Sequence, residues 1–346
     1  MELHLTIKIQ KFKQMKSLAN TQVLVTGATG FVGSRLSERL STKEQAKVTG
    51  TGRNLDRVSS LTGQGVQLEA ADLLDADTVK KLVEGKEIVI HTAAALQADA
   101  ESAQRINVEA TESLVRLAGE AGVSRFVHVS TVGVYDMTNL KYVDETAPLA
   151  LNHSSTYPRT KAEAEKRATE SASAFGMELS IVRPSMIYGP GHGFWSEVMF
   201  KNVLKGNPVM LGDGSGNFNP VYIDDVVDAI ILCAAHPKAA GEAFNISSDV
   251  TTWREFFGHY ADLSGKKLKN VPLFIARLMA FANRIPGINT PIDQGFIDMA
   301  TSDKEFPSRK ATELLGWNPQ VTYDEGMKRT LEWLEIQHPH DGKQSD

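Results

Sequence analysis

Six short apolar, β-branched runs, separated by segments of helical spacing, leave this chain few folds to choose from. The runs are Gln22–Thr26, Lys47–Gly52, Val66–Ala70, Ile88–His91, Arg125–Val129 and Glu178–Val182. Runs this short and this apolar read as buried strands. Between them, Ser34–Leu40, Asn107–Ala121 and Lys161–Phe175 carry the spacing of helices. Such alternation requires right-handed crossovers, and so predicts an α/β fold with a Rossmann-type doubly wound parallel sheet. Ligands of these sheets bind at the carboxyl ends of the strands.

After Arg183 the alternation breaks, prolines and glycines thicken from Pro184 to Pro220, and helical Asp224–Ala235 and strand-like Ala243–Ile246 follow. The expected organisation is an N-terminal extension over 1–20 and a Rossmann domain over 21–185, to which 223–249 return. A smaller C-terminal substrate-binding lobe is expected from 186–222 and 250–346. Residues 1–20 scatter Lys8, Lys11, Lys13 and Lys16 among apolar residues without the continuous apolar stretch of a signal peptide. They read as a frayed extension with no assigned function, with Met15 an alternative start.

Composition removes several classes of function. A chain of 346 residues with net charge -5 can bury a large core and gives no reason to expect nucleic acid as a partner. A single cysteine, Cys233, excludes an internal disulfide and a cysteine-built metal site; its apolar run Ala229–Ala235 makes it a buried, inert thiol. The histidines lack metal-ligand spacing, so no metal is expected. No run reaches the roughly 18 apolar residues of a spanning helix, so no transmembrane span is predicted and a cytoplasmic location is expected.

The first strand runs into Thr26-Gly27-Ala28-Thr29-Gly30-Phe31-Val32-Gly33, and a helix follows. Gly27 permits the tight turn, Gly30 lets backbone amides approach a phosphate, and Gly33 allows close helix–sheet packing. Amides at a helix N-terminus attract an anionic pyrophosphate, so Gly27, Thr29, Gly30, Phe31, Val32 and Gly33 are cofactor-binding candidates. At the end of the second strand, where an acidic residue would hold the ribose of NAD, stands Arg53, followed by Asn54 and Asp56. Arg53 can pair with a 2′-phosphate, which favours NADP over NAD, although Asp56 keeps NAD open.

Tyr157 and Lys161 stand four apart in Tyr157-Pro158-Arg159-Thr160-Lys161 and share one helix face. An ammonium beside a phenol is expected to lower its pKa from about 10, making proton exchange with a substrate oxygen feasible. Ser130 and Thr131, after the fifth strand, offer hydroxyls to the same oxygen. Together with the glycine turn, this order of motifs predicts a nicotinamide-dependent oxidoreductase.

The chain resembles the extended short-chain dehydrogenases/reductases, the epimerase/dehydratase superfamily, over about residues 21 to 335. The resemblance rests on Thr26–Gly33, Asp72-Leu73, His91-Thr92-Ala93-Ala94, Asn107-Val108, Val129-Ser130-Thr131, Tyr157–Lys161, and Arg183-Pro184 with Tyr188-Gly189-Pro190-Gly191. Val221–Asp225 and Leu315-Gly316-Trp317 also fit. It implies that Asp72 contacts adenine with Leu73 beside it, that Ala93 and Ala94 line the cofactor channel, and that Asn107 sets the nicotinamide side. It further implies that Pro184 approaches the nicotinamide end and that Thr131 is the catalytic Ser/Thr, with Ser130 the neighbouring candidate. The helices bearing Tyr157 and following Asn107 would form a four-helix homodimer interface.

Two departures select a branch. Similar sugar-nucleotide enzymes usually place asparagine two residues before the tyrosine of Tyr-Gly-Pro, where this chain has Met186. They usually carry an Arg-Asp-Phe run before Asp224-Asp225, where this chain reads Phe218-Asn219-Pro220-Val221-Tyr222-Ile223. A diphosphate needs cationic or amide clamps, so the chain looks more like the 3β-hydroxysteroid dehydrogenase and dihydroflavonol reductase side. The expected reaction is reversible hydride transfer between NADP(H) and a carbonyl/alcohol of a largely apolar small molecule. The rivals are an NDP-sugar epimerase or dehydratase with bound NAD, and a non-catalytic NADP-binding sensor, against which the intact Tyr157–Lys161 pair argues. His192 and Trp195 fall in a candidate substrate loop, His192 without an assigned role. The apolar stretch Val271–Ala282 reads as a buried lobe helix, with a substrate cleft or a membrane surface as alternatives.

Overall fold

The computed structural model describes residues 15–339 apart from Pro286, Asn289 and Pro291. In chain order the half that builds the main sheet comprises β1 (Gln22–Thr26), α1 (Phe31–Thr42), β2 (Lys47–Gly52), β3 (Gln67–Ala70), α2 (Ala76–Val83), β4 (Ile88–His91), α3 (Ala110–Glu120), β5 (Arg125–Val129), α4 (Thr156–Ala174), β6 (Glu178–Pro184), α5 (Ile223–Ala235) and β7 (Ala243–Ile246). The seven strands form one parallel sheet in the order β3-β2-β1-β4-β5-β6-β7. Helices cover both faces, so β4 and β5 are buried at every position and need continuous apolar sequence. The order reverses between β1 and β4, which opens the ligand crevice at the carboxyl ends of those two strands.

Local chemistry sets the helices on this sheet. α1 turns Gly33, Leu36, Ser37 and Leu40 inward at helical spacing. Its outer face is tied to α5 by Arg35–Asp224 at 2.6 Å and Arg39–Asp228 at 3.0 Å. α2 starts where the Asp75 carboxylate accepts from the Asp77 and Thr78 N–H groups. Cys233, on α5, is fully buried, and burial pushes its thiol up to about 12.

The extension expected over 1–20 lies outside the described residues as far as residue 14, and its end is anchored rather than frayed. The Lys16 N–H donates to the Ala235 carbonyl at 3.0 Å, and Leu18 is buried in the core beside α5. An apolar side chain with a ready site under α5 gains more from burial than its short tether loses in freedom.

Met186–Tyr188 pairs in parallel with Pro220–Tyr222 beyond the sheet. The C-terminal helices are α6 (Trp253–Ser264), α7 (Leu273–Ala282), α8 (Gln294–Ala300), α9 (Arg309–Leu315) and α10 (Tyr323–Gln337). α6 opens with a reciprocal cap between Thr252 and Glu255. A second core of aromatic rings forms here, with Phe218 stacked on Phe256 at 4.2 Å and edge-on to Trp253 at 5.3 Å. Trp195 packs edge-on against Phe218 and Trp253, so it belongs to this core. Gly316, at φ +73, ends α9, and the Trp317 indole N–H then donates to the Asp225 carbonyl at 2.9 Å. The Asp225 carboxylate accepts from the Gln320 N–H at 2.7 Å, locking the C-terminal segment to α5.

One expectation fails in this half. Val271–Ala282 is not a buried helix: of α7 only Ala276 is buried, and Phe274, Leu278 and Phe281 face outward. The helix lies on the rim of the aromatic core, so only its Leu273, Met279 and Ala280 side packs inward.

Candidate active site

The glycine turn sits at the switch point between β1 and β4. Gly27 has φ +74, and a Cβ there would lie 2.6 Å from the Ala93 amide nitrogen and 2.9 Å from Thr92 Oγ1. A Cβ on Gly33 would lie 2.6 Å from the same Thr92 oxygen. The close approach is held by Thr92, whose hydroxyl donates to the Thr26 carbonyl at 2.7 Å. α1 then begins with Gly30 extended, no side-chain cap and no acidic residue in its first turn. The first-turn amides of Phe31, Val32 and Gly33 therefore point outward unopposed, the arrangement that favours an anion.

The end of the crevice at β2 and β3 is more open. A Cβ on Gly52 would press on the Thr29 side chain at 2.6 Å, so this glycine lets β2 approach the turn. Arg53 follows it, exposed. Asp72, after β3, is exposed and accepts from the Leu74 N–H at 3.0 Å, while Leu73 packs against the core under α2. Ala93 is half-buried and Ala94 exposed.

The other end of the crevice forms at the ends of β4, β5 and β6. β4 and β5 pair His91 with His128, and their rings stack at 5.4 Å. Lys161 of α4 is 1% exposed, and its ammonium donates to the Val129 carbonyl at 2.8 Å and meets His128 Nε2 at 3.2 Å. Burial holds this ammonium down at about 8. His128 is also driven well below its ordinary value by burial and by the Lys161 charge, so it stays neutral and accepts through Nε2. The tautomer of His91 follows from its partners. Thr111 donates its hydroxyl to the Asn107 carbonyl at 2.7 Å, so it accepts from His91 Nε2–H at 2.9 Å. His91 Nδ1 in turn accepts from the Thr26 hydroxyl at 2.7 Å, and burial lowers the imidazole to about 3. Neutral histidines thus run from the glycine turn to Lys161.

Tyr157 lies in the first turn of α4 and is half-buried. The expectation that Lys161 lowers its pKa is not met: burial pushes the phenol up to about 12, and the ammonium is engaged by Val129 and His128 instead. Ser130 is buried, and its Oγ has no hydrogen-bond partner among the described residues. Thr131 Oγ1 accepts from the Gly133 N–H at 3.2 Å, which leaves its own proton to donate. A Cβ on Gly133 would touch both Thr131 (3.5 Å) and Pro158 (3.9 Å), so Thr131 lies beside the turn that carries Tyr157. Pro184 is buried at the end of β6, paired with Ile246.

Asn107, expected to set the nicotinamide side, is hydrogen-bonded to two other elements. Its Oδ1 accepts from the Ala95 N–H at 2.7 Å, and its Nδ2 donates to the Ala95 carbonyl and to Thr160 Oγ1 at 3.2 and 3.0 Å. The Thr160 hydroxyl donates to the Tyr157 carbonyl at 3.1 Å. Asn107 therefore clamps the loop after β4 to the helix bearing Tyr157 and Lys161. His192 pairs through Nδ1 with Glu197 at 2.7 Å, and Lys201 and His338 meet the same carboxylate. Against the cost of burial, Lys201 and His192 hold Glu197 down at about 2, so His192 anchors its loop. Sequence reasoning passed over His128 and Thr111; the matched ends of β4 and β5 were the signal that places His128 beside His91.

A buried hydroxyl without a partner, an uncapped helix start and a turn closed to any Cβ fit a nicotinamide dinucleotide. The sequence comparison decides the family, whose profile, that of the NAD dependent epimerase/dehydratase family, matches residues 23–247. The chain belongs to this family. It is 33% identical over 335 residues to a 3 beta-hydroxysteroid dehydrogenase/Delta 5-->4-isomerase of Mycobacterium tuberculosis, covering 90% of this chain and 89% of that protein. It is 29% identical over 325 residues to a UDP-glucose 4-epimerase of Vibrio cholerae, covering 90% and 94%. Among solved structures, a dTDP-glucose 4,6-dehydratase from Streptomyces venezuelae with NAD bound superimposes with a TM-score of 0.75 at 25% identity, over 91% and 97% of the two chains. The chain is thus an enzyme of the extended short-chain dehydrogenase/reductase type. No described helix is long and apolar enough to cross a membrane.

Proposed function

We propose that the enzyme catalyses reversible hydride transfer between NADP(H) and a carbonyl/alcohol of a largely apolar small molecule. The observation that carries this reading is the apolar environment of Met186 and Phe218. Both are buried in the aromatic core beyond the sheet, where a diphosphate would require cations or amides. The relative at 33% identity, whose name is that of a steroid dehydrogenase, supports the same substrate class. In this proposal residues 186–222 and 250 onward form the substrate lobe, and the enzyme works in the cytoplasm as a homodimer through α3 and α4.

The cofactor would be held by the turn and amides from Gly27 to Gly33, with Thr29, Asp72, Leu73, Ala93, Ala94 and Pro184 around it. Arg53, exposed beside Gly52, would take the 2′-phosphate, which favours NADP. When bound, the nicotinamide supplies or accepts the hydride. Tyr157 gives its phenolic proton to the carbonyl oxygen in reduction and recovers it from the alcohol in oxidation. The hydroxyls of Thr131 and Ser130 hydrogen-bond that oxygen and stabilise the charge it develops. A phenol at about 12 is a proton donor throughout the neutral range but a poor base. Alcohol oxidation should therefore accelerate from pH 7 to 10, while ketone reduction should not.

A second reading, an NDP-sugar epimerase or dehydratase with NAD, draws on the epimerase relative at 29% identity. Two measurements separate them. A panel of apolar ketones assayed with NADPH and NADH should reveal turnover, with NADPH preferred. Mass spectrometry of the native protein that finds tightly held NAD, together with no ketone turnover, would sink the proposal in favour of the epimerase.

A further inference from the structure

α7 and the segment after it break the rule by which the rest of the chain is built. Phe274, Leu278 and Phe281 are 66%, 64% and 61% exposed, and Ile285 and Ile288 beyond them are also exposed. Spaced at i, i+4 and i+7 on α7, the first three form one stripe. A contiguous apolar stripe facing solvent marks an interaction surface. Among the described residues beyond α7, Asn283 receives the Thr290 N–H at 2.6 Å and donates to the Ile292 carbonyl at 3.1 Å. Asp293 then accepts from the Ser155 hydroxyl at 2.8 Å, two residues before Tyr157.

Charge identifies what this face meets. Residues 263–292 carry five cations, Lys266, Lys267, Lys269, Arg277 and Arg284, and no acidic residue, in a chain whose net charge is -5. Arg277 stands on the stripe itself, three residues after Phe274 and four before Phe281, and the Arg284 guanidinium sits 5.6 Å from the Phe281 ring centroid. Arginines beside exposed aromatic and aliphatic side chains suit a lipid interface, where the apolar groups enter the acyl boundary and the cations reach the headgroups. A second copy placed symmetrically on the same stripe would bring the Arg277 and Arg284 side chains of both copies together, which like-charge repulsion opposes. α7 is too short to span a bilayer, but it can lie in its surface.

We propose that α7 and the segment to Ile288 dock the enzyme peripherally on an anionic lipid bilayer. The test is flotation of the full chain with vesicles of phosphatidylcholine alone or mixed with phosphatidylglycerol. The wild type should float with the mixed vesicles, less with the neutral ones, and less as salt rises. The Leu278→Glu/Phe281→Glu variant should lose binding at least about tenfold, with its melting temperature retained. The Arg277→Glu/Arg284→Glu variant keeps the apolar stripe and should lose the preference for anionic vesicles, again by about tenfold. Wild-type protein that floats with neither vesicle, or variants that bind as the wild type does, would overturn the proposal. So would a Leu278→Glu/Phe281→Glu variant that drops to a smaller oligomer in sedimentation while its vesicle binding is unaltered, since the face would then be a contact between copies.

Discussion

The carboxyl ends of β4 and β5 and the outer face of α7 violate the ordinary rule of burial in opposite directions. The first buries an ammonium, two imidazoles and a partnerless hydroxyl; the second exposes large apolar side chains. Each departure costs stability in the isolated fold, and each is where the chain has chemistry or contact to offer. The buried polar site is held by hydrogen bonds from Lys161 to Val129, from Thr26 to His91 and from His91 to Thr111. The exposed face is held only from one side, and so its substitutions should behave very differently from those at the sheet.

Tyr157→Phe tests the polar side most severely. It should lower turnover on an identified ketone by about 10²- to 10⁴-fold while cofactor affinity changes little, because the lost phenol acts at the substrate oxygen. Steady-state kinetics with a separate cofactor titration would check this. Near wild-type turnover would remove Tyr157 from the chemistry.

The aromatic core of the lobe gives the largest expected loss of stability. Phe256 is fully buried, stacked on Phe218 and edge-on to Tyr188. Phe256→Ala should cost about 3–5 kcal/mol in denaturant unfolding through lost transfer energy and a residual cavity. A cost under about 1 kcal/mol would mean that the lobe collapses around the gap.

Lys161 links stability to pH with a definite sign. Burial holds its ammonium at about 8, whereas an unfolded lysine keeps its proton to about 10.4. Between those values the unfolded chain binds the extra proton, so native stability climbs as pH rises from 8 toward 10. Lys161→Met abolishes that climb. The melting temperature of the variant minus that of the wild type should therefore fall from pH 7 to 10, by an equivalent on the order of 1–3 kcal/mol. A difference that stays constant with pH would show that the buried ammonium is not desolvated.

How much of this was legible in the sequence differs between the same two regions. The sheet was readable because strands buried on both faces leave continuous apolar runs, and Gly27 and Gly33 because backbone contact admits no side chain there. Tyr157 and Lys161 were readable as a pair, yet their electrostatics were not. The direction of the Tyr157 shift depends on where Lys161 Nζ points, and that is decided by Val129 and His128, more than thirty residues away in sequence. The clamp of Asn107 on Ala95 and Thr160 was not legible, since its partners come from two other elements. The face of α7 was illegible for a simpler reason. An almost wholly apolar stretch has little amphipathic pattern, and burial was the natural inference.

The smallest effect is the most discriminating for that face. A buried leucine replaced by a small polar residue would cost several kcal/mol, but Leu278 is 64% exposed and packs against little. Leu278→Ser should therefore leave unfolding free energy within about 0.5 kcal/mol of the wild type. Because it removes exposed apolar area, it should also reduce self-association at high concentration. Thermal melts and light scattering would measure both. A loss of more than about 2 kcal/mol would mean that Leu278 is covered in the native protein by something other than water, and dilution would then identify the cover. A penalty that vanishes on dilution belongs to a contact between copies, and one that persists belongs to the chain itself.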